Sequence, residues 1–348
     1  MNASDHSPRP TRPFPFAAPK CLLLLLIGAL LPAGGCGQPV GWLIRPVPLD
    51  AALDETVIAR DPGLFVTDKI VVVDLDGLLL NQRQGGLLGS GENPVSLFVE
   101  KLDKAAADRN VRALVLRINS PGGGVTASDI MYRRLKRFRA ERDVPVIAVI
   151  EDVGASGGYY VACAADAILV HPTSVTGSIG VMIQTVSFAG TLQKLGIDAR
   201  AVVSRPRKDL ANPLAPLREE DLAILQGIVN EYYERFLAVV GEAREEIGPD
   251  RLREIADGRV YTGEQAIENG LADEIGYVPD AIALAKRRSG AGRVRVVMYH
   301  RPYGYRANAY SAVPGPVAEI NLLRVDLPSL QSLARPEFLY LWTGRAGR

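Results

Sequence analysis

The sequence predicts an α/β protein, and three apolar stretches carry that expectation. Arg112–Ile118 runs into Pro121-Gly122-Gly123-Gly124 and then a helical pattern; Val144–Ile150 runs into Gly154-Ala155-Ser156-Gly157-Gly158 and then another; Ala167–His171 ends at Pro172. Short apolar runs bounded by Gly and Pro read as buried strands, and strands alternating with helical patterns read as an α/β layer. The 348 residues, 47% apolar and 23% charged with net charge +1, supply enough chain for a full core. That near-neutral balance argues against a nucleic-acid partner.

Taken in order, the elements begin with a targeting segment. Arg9, Arg12 and Lys20 precede the apolar run Cys21–Leu31, which is followed by Pro32-Ala33-Gly34-Gly35-Cys36. A basic region, a short apolar core and small residues before a cysteine read as a secretory signal over 1–36. Ala33-Gly34-Gly35-Cys36 is similar to a bacterial lipobox, with alanine where leucine is usual and Cys36 as the lipid acceptor. The uncharged stretch 21–44 is also long enough for an uncleaved anchor, although Pro32 and the glycines weaken it as a helix; the lipoprotein reading is preferred. Both readings tether the remaining chain to a membrane, outside the cytoplasm. Residues 37–67 are Pro-bearing and irregular, an expected tether.

Lys69–Leu75 opens the folded part as a strand, and the glycine-rich stretch 78–94 is expected to be a flexible loop or substrate-facing flap. Helices are expected over Leu97–Arg109 and Ser128–Arg142, and a strand over Gly196–Ser204. The longest helix is expected over 217–246, where Leu222, Leu225, Val229, Tyr232, Phe236 and Val239 recur at three- and four-residue steps. Thr262 with Gln265 forms a capping box, and Gly270 closes the short helix it opens. Val294–His300 reads as a strand. The chain from 291 to 348 has no role assigned by sequence, and its Phe338–Trp342 cluster can pack on the body or on a neighbour.

Ser156 is the leading candidate for chemistry. A serine between small residues, where a strand turns into a helix, presents its hydroxyl to backbone N–H groups and a positive helix end. The competing reading is a serine that merely caps the helix. With His6, His171 and His300 the only histidines, a lysine is the better candidate for a base, and Lys208 is that lysine. An amine accepts a proton only when neutral; a free lysine has a pKa near 10.4, and burial lowers it. The Pro121–Gly124 run, with no side chains to shield its N–H groups, forms a nest suited to negative charge. No His/Cys/Glu cluster has metal-ligand spacing, so neither metal nor cofactor is expected. Cys163 reads as a buried core residue.

Five blocks in order resemble bacterial signal peptide peptidase A, the membrane-associated peptidases with a Ser-Lys dyad: Ile118–Gly124, Gly154–Tyr160, Thr176–Val181, Lys208-Asp209 and Gly258–Gly276. The resemblance covers roughly 68 to 288 and implies a peptidase domain over 68–290 with a crotonase/Clp-protease-like superhelix of β-β-α units. It also implies Ser156 as nucleophile, Lys208 as general base, Ser178 holding the lysine amine, and an oxyanion hole from the N–H groups of Gly123 and Gly157. It further implies signal-peptide remnants or similar apolar peptides as substrates, and a homo-oligomeric ring in which protomers share active-site parts. His171 before Pro172, and Arg205-Pro206-Arg207 before Lys208, depart from the usual pattern.

Three other readings compete. A catalytically silent scaffold of the same fold would need neither Lys208 nor Ser178. A Clp-like peptidase would use His171, but 15 residues past Ser156 is a short gap for that geometry. An acyl-CoA crotonase would be separated from its cofactor by secretion.

Overall fold

The computed structural model describes residues 52–82, 92–302 and 338–343, with backbone alone for 85–86 and 89–90. They belong to one compact unit, Ala51–Arg348. The expected signal segment with Cys36 lies outside the described residues, as do 83–84, 87–88 and 91 of the expected flap, whose first residues, Leu78 and Leu79, belong to a strand.

In chain order the strands are β1 (Asp54–Arg60), β2 (Lys69–Leu79), β3 (Gly85–Gly86), β4 (Gly89–Ser90), β5 (Val111–Gly124), β6 (Val146–Ala155), β7 (Ala167–Val170), β8 (Val175–Gly177), β9 (Met182–Ile183), β10 (Val260–Thr262), β11 (Glu274–Ile275), β12 (Arg295–His300) and β13 (Phe338–Leu341). The helices are α1 (Pro94–Ala107), α2 (Val125–Arg142), α3 (Gly157–Ala162), α4 (Ala189–Lys194), α5 (Glu219–Ala243), α6 (Pro249–Ile255), α7 (Gly263–Glu268) and α8 (Val278–Ser289).

The main sheet runs β1-β12-β2-β5-β6-β7-β11. The strands from β12 through β11 are parallel, and β1 joins β12 antiparallel. Parallel strands need cover on both faces, and the sequence alternates accordingly. Val71, Val73, Leu114 and Leu116 point to one face, where Phe98 of α1 and Leu135 and Phe138 of α2 pack. Ile70, Val72, Val115 and Val149 point to the other, against Val278, Ala281 and Leu284 of α8. Cys163 lies in the first core, and burial pushes its thiol up to about 12.

Several elements differ from expectation. The stretch 37–67 includes β1, because Asp54–Arg60 finds a partner in β12; Lys69 Nζ then bridges Glu55 and Asp108 at 2.7 Å each. β5 does not stop at Pro121 but continues through Gly124, since β2 supplies a partner on one side as far as Leu79↔Gly123 and β13 supplies one on the other. Residues 196–204 form no strand: Val202 is fully exposed there, and no neighbouring strand offers hydrogen bonds. The chain beyond 291 supplies β12, which sits between β1 and β2, and β13, which reaches the site. The long helix is α5, and the Thr262–Gln265 capping box is formed at α7.

Candidate active site

Ser156 stands where β6 leaves the sheet and α3 begins. Its backbone is at φ 52°, ψ −116°, a region a non-glycine residue occupies at a cost of about 1–3 kcal/mol and usually at a functional site. Pairing with β8 holds it there. Ala155 lies opposite Gly177 of β8, and Ser156 N donates to Gly177 O at 2.7 Å. The side chain makes no capping hydrogen bond, so the competing helix-cap reading of this serine fails. Ser156 is 1% exposed.

The nest lies alongside. A β-carbon placed on Gly157 would fall 3.2 Å from Gly122 Cα, and one on Gly122 would fall 2.6 Å from Gly157 N. The backbone after the serine and the Pro-Gly-Gly-Gly run therefore converge, the arrangement an oxyanion needs. Gly122 has φ +99°, so glycine is required there by conformation as well as by space. Gly123 follows it in β5, and with Gly157 is the expected donor pair.

Ser178 comes directly after Gly177, so β8 places Ser178 next to the serine turn. It too is left-handed, at φ 49°, and is 8% exposed, with its N–H donating to Arg259 O at 2.8 Å. A cavity of about 360 Å³ opens beside it, lined by Ser178, Met182, Val229, Tyr233, Leu339 and Leu341.

Lys208 is not brought to this cluster within one chain. It lies in an exposed turn, its N–H on Arg205 O, and its amine makes no hydrogen bond or ion pair among the described residues. The expectation of Lys208 desolvated against Ser156 and held by Ser178 is therefore not met by a single protomer. Arg207 beside it reaches Glu220 at 3.7 Å instead. The segment carrying Lys208 exposes Val186, Phe188, Leu195, Ile197, Val202 and Leu214.

His171 is half-buried, its ring 4.7 Å from that of Tyr277, and its Nε2 is buried without a partner. Burial lowers its pKa below the ordinary imidazole value. No hydrogen bond joins it to Ser156. Among the described residues no His/Cys/Asp/Glu group could hold a metal ion.

Sequence reasoning missed a third wall of the site, the four-residue strand β13. It lies across the glycine run, with Leu339 opposite Gly124, Tyr340 opposite Gly123 and Leu341 opposite Gly122. The one signal was the Phe338–Trp342 cluster, whose partner no local pattern identifies.

A strained serine at a helix N-terminus beside a converging glycine nest defines a class of acyl-transfer site. Residues 139–292 match peptidase family S49. The chain is 33% identical over 231 residues to a protein named signal peptide peptidase SppA in Enterococcus faecium, covering 66% of this chain and 67% of that one. It is 32% identical over 259 residues to a Methanocaldococcus jannaschii protein named as a protease, covering 74% and 82%. Among solved structures it is similar to a membrane-bound stomatin-specific protease in complex with a substrate peptide, at a TM-score of 0.43 and 16% identity, covering 69% of this chain and 95% of that one. The chain is a serine peptidase of the S49, signal peptide peptidase A family.

Proposed function

We propose that this chain is a membrane-tethered endopeptidase that degrades cleaved signal peptides or similar apolar segments with a Ser156–Lys208 dyad. The observation that carries the reading is Ser156 itself: a left-handed, uncapped serine held between β8 and the Gly122–Gly124 run. Ser156 Oγ attacks the peptide carbonyl while its proton passes to the Lys208 amine. The oxyanion accepts hydrogen bonds from Gly123 and Gly157 N–H. Lys208 then protonates the leaving amine, and water, deprotonated by the same lysine, hydrolyses the ester. No metal or cofactor takes part in this scheme.

The exposed amine of Lys208 fits an assembly in which a second copy completes the site. The apolar residues exposed around it give that copy a surface, and desolvation against it favours the neutral amine. This is the homo-oligomeric ring of the resemblance. The split pairing of β6, with β7 over Ile147–Ile150 and with β8 over Val153–Ala155, supports the crotonase/Clp-type superhelix. The tether through Cys36 or an uncleaved anchor, and the location outside the cytoplasm, rest on the N-terminal sequence; among the described residues no helix is long and apolar enough to cross a membrane.

The test is fluorophosphonate labelling with mass mapping, alongside cleavage of an apolar peptide. Labelling should fall on Ser156, and Ser156→Ala and Lys208→Ala should each abolish cleavage while leaving the melting temperature in place. Full activity in either variant refutes the dyad, whereas neither labelling nor cleavage in the parent chain would leave the scaffold reading standing.

A further inference from the structure

The loop between β1 and β2 carries two large apolar side chains into solvent. Leu64 and Phe65 are 85% and 90% exposed, while Val66 directly after them is buried. Single apolar residues on a surface are ordinary, but an adjacent pair at a loop tip marks a contact. Phe65 is also held at φ 59°, a strained conformation for a bulky residue and one that clusters at functional positions.

The loop is firmly built. Asp61 N donates to Val294 O at 3.0 Å, and the Asp61 carboxylate accepts from Val294 N at 2.8 Å and from Lys286 Nζ at 2.6 Å. Gly63 lies against Arg293, where a β-carbon would fall 2.7 Å from a guanidinium nitrogen, and Arg60 approaches the Gly63 carbonyl at 3.5 Å. Two exposed guanidiniums, Arg60 and Arg293, therefore frame the tip. The acids nearby in the loop are Asp61, which Lys286 pairs, and the half-buried Asp68. An apolar tip within a cationic rim complements a bilayer that carries anionic headgroups.

We propose that the Leu64–Phe65 tip is a membrane wedge: the two side chains insert below the headgroups, and Arg60 and Arg293 pair with anionic lipid phosphates. The proposal rests on the membrane-tethered reading and adds a second point of contact to it. One attachment leaves a domain to tumble, whereas two fix its orientation. The tether allows this. Residues 37–51 reach at most about 50 Å, and β1, which follows them and leads to the loop, covers about 20 Å. The loop opens β2 at the end of the sheet where the parallel strands begin, and Ser156 follows β6 where they finish. The ten residues of β6 thus set Ser156 about 30 Å from the lipid surface. At that distance the site meets apolar segments that have left the bilayer.

The probe is the full chain reconstituted in vesicles of phosphatidylcholine with phosphatidylglycerol, and of phosphatidylcholine alone. With Trp42→Phe and Trp342→Phe in place, Phe65→Trp supplies the one indole of the chain. In the anionic vesicles its emission should shift to the blue, and lipids brominated near the headgroup should remove about half of it or more, as insertion by roughly 5–10 Å requires. Phosphatidylcholine alone, or Arg60→Glu with Arg293→Glu, should cut that quenching at least about twofold. Leu64→Ser with Phe65→Ser should leave the oligomeric state in detergent unchanged; dissociation would make the tip a contact between copies and overturn the wedge. An indole that stays in water while the chain remains on the vesicles in high salt overturns the wedge and leaves the tether intact. A blue shift in a chain that high salt then strips from the vesicles supports the wedge and sinks the tether.

Discussion

At the scale of single residues, the site is built from two serines in conformations that serine rarely adopts. Ser178→Gly separates conformation from chemistry at the second of them. Glycine accepts φ 49° without strain, so the melting temperature should hold or rise, the stabilisation reaching about 1 kcal/mol. If its hydroxyl positions the base as proposed, its loss should meanwhile lower kcat, by part of the about 10²–10⁴-fold that a positioned base contributes. A fall in KM-corrected activity together with a fall in stability would instead make Ser178 structural. For His171, burial holds the folded pKa below the unfolded value, so the unfolded chain binds the extra proton first. Stability from this residue is therefore full above the unfolded pKa near 6.5 and declines as pH falls from there toward the folded pKa. His171→Ala should retain most peptidase activity, and a melting curve taken at pH 7 and at pH 5.5 should show a smaller drop than in the parent chain. Loss of several orders of magnitude in kcat would restore the Clp-like reading.

At the scale of elements, two junctions decide whether the site stands. The first is the approach of β5 to the serine turn. Gly122→Ala would drive a β-carbon into the Tyr340 carbonyl at 2.0 Å and the Gly157 nitrogen at 2.6 Å, on a backbone at φ +99°. Both contacts are backbone and cannot rotate away, so fluorophosphonate labelling of Ser156 should be lost even in protein that remains folded. The second is the bridge from β1 to α1 through Lys69. Its two partners hold the ammonium charged, and its bond holds the Asp108 carboxyl below the usual carboxylate range. Lys69→Met leaves Glu55 and Asp108 without their shared cation and should cost about 1.5–3 kcal/mol, read as a lower urea midpoint. Because the Asp108 pKa is depressed by folding, its contribution is complete above the ordinary carboxylate value near 3.9 and is lost as pH falls through the folded value. The acid-side loss of stability should therefore be shallower in Asp108→Asn.

These junctions also mark where the sequence could be read and where it could not. Arg112–Ile118 and Val144–Ile150 were legible as strands because a central parallel strand is apolar on both faces. The sharp turn at Ser156 was legible because small residues flank it. The continuation of β5 through Pro121–Gly124 was not legible, since proline and glycine oppose strand by propensity, and partners on both edges reversed that preference. Gly196–Ser204 failed in the opposite sense: its apolar residues suit a strand, but the chain provides no edge for it.

At the scale of the whole molecule, the mismatch between a buried Ser156 and an exposed Lys208 is the central fact. If copies share the dyad across an interface, mixing inactive Ser156→Ala with inactive Lys208→Ala should restore activity. Random assembly of equal amounts gives about a quarter of the parental rate, because that fraction of interfaces pairs an intact serine with an intact lysine. Failure to complement, in protein shown to exchange subunits, would require the lysine to reach Ser156 within one chain.

What the sequence by itself determined is everything that depends on neighbours along the chain: the alternating layers, the caps, the small-residue turn around Ser156 and the glycine run that no side chain shields. Tertiary structure alone decided the rest. It brought Gly177 under Ser156, aimed Gly122 at Gly157, left Lys208 without a partner among the described residues, and carried Tyr340 back across 217 positions to Gly123 in β5. The reason is that local patterns specify which residues can form a strand, whereas hydrogen bonds to a distant edge specify where that strand goes, and no periodicity in the chain records the address of its partner.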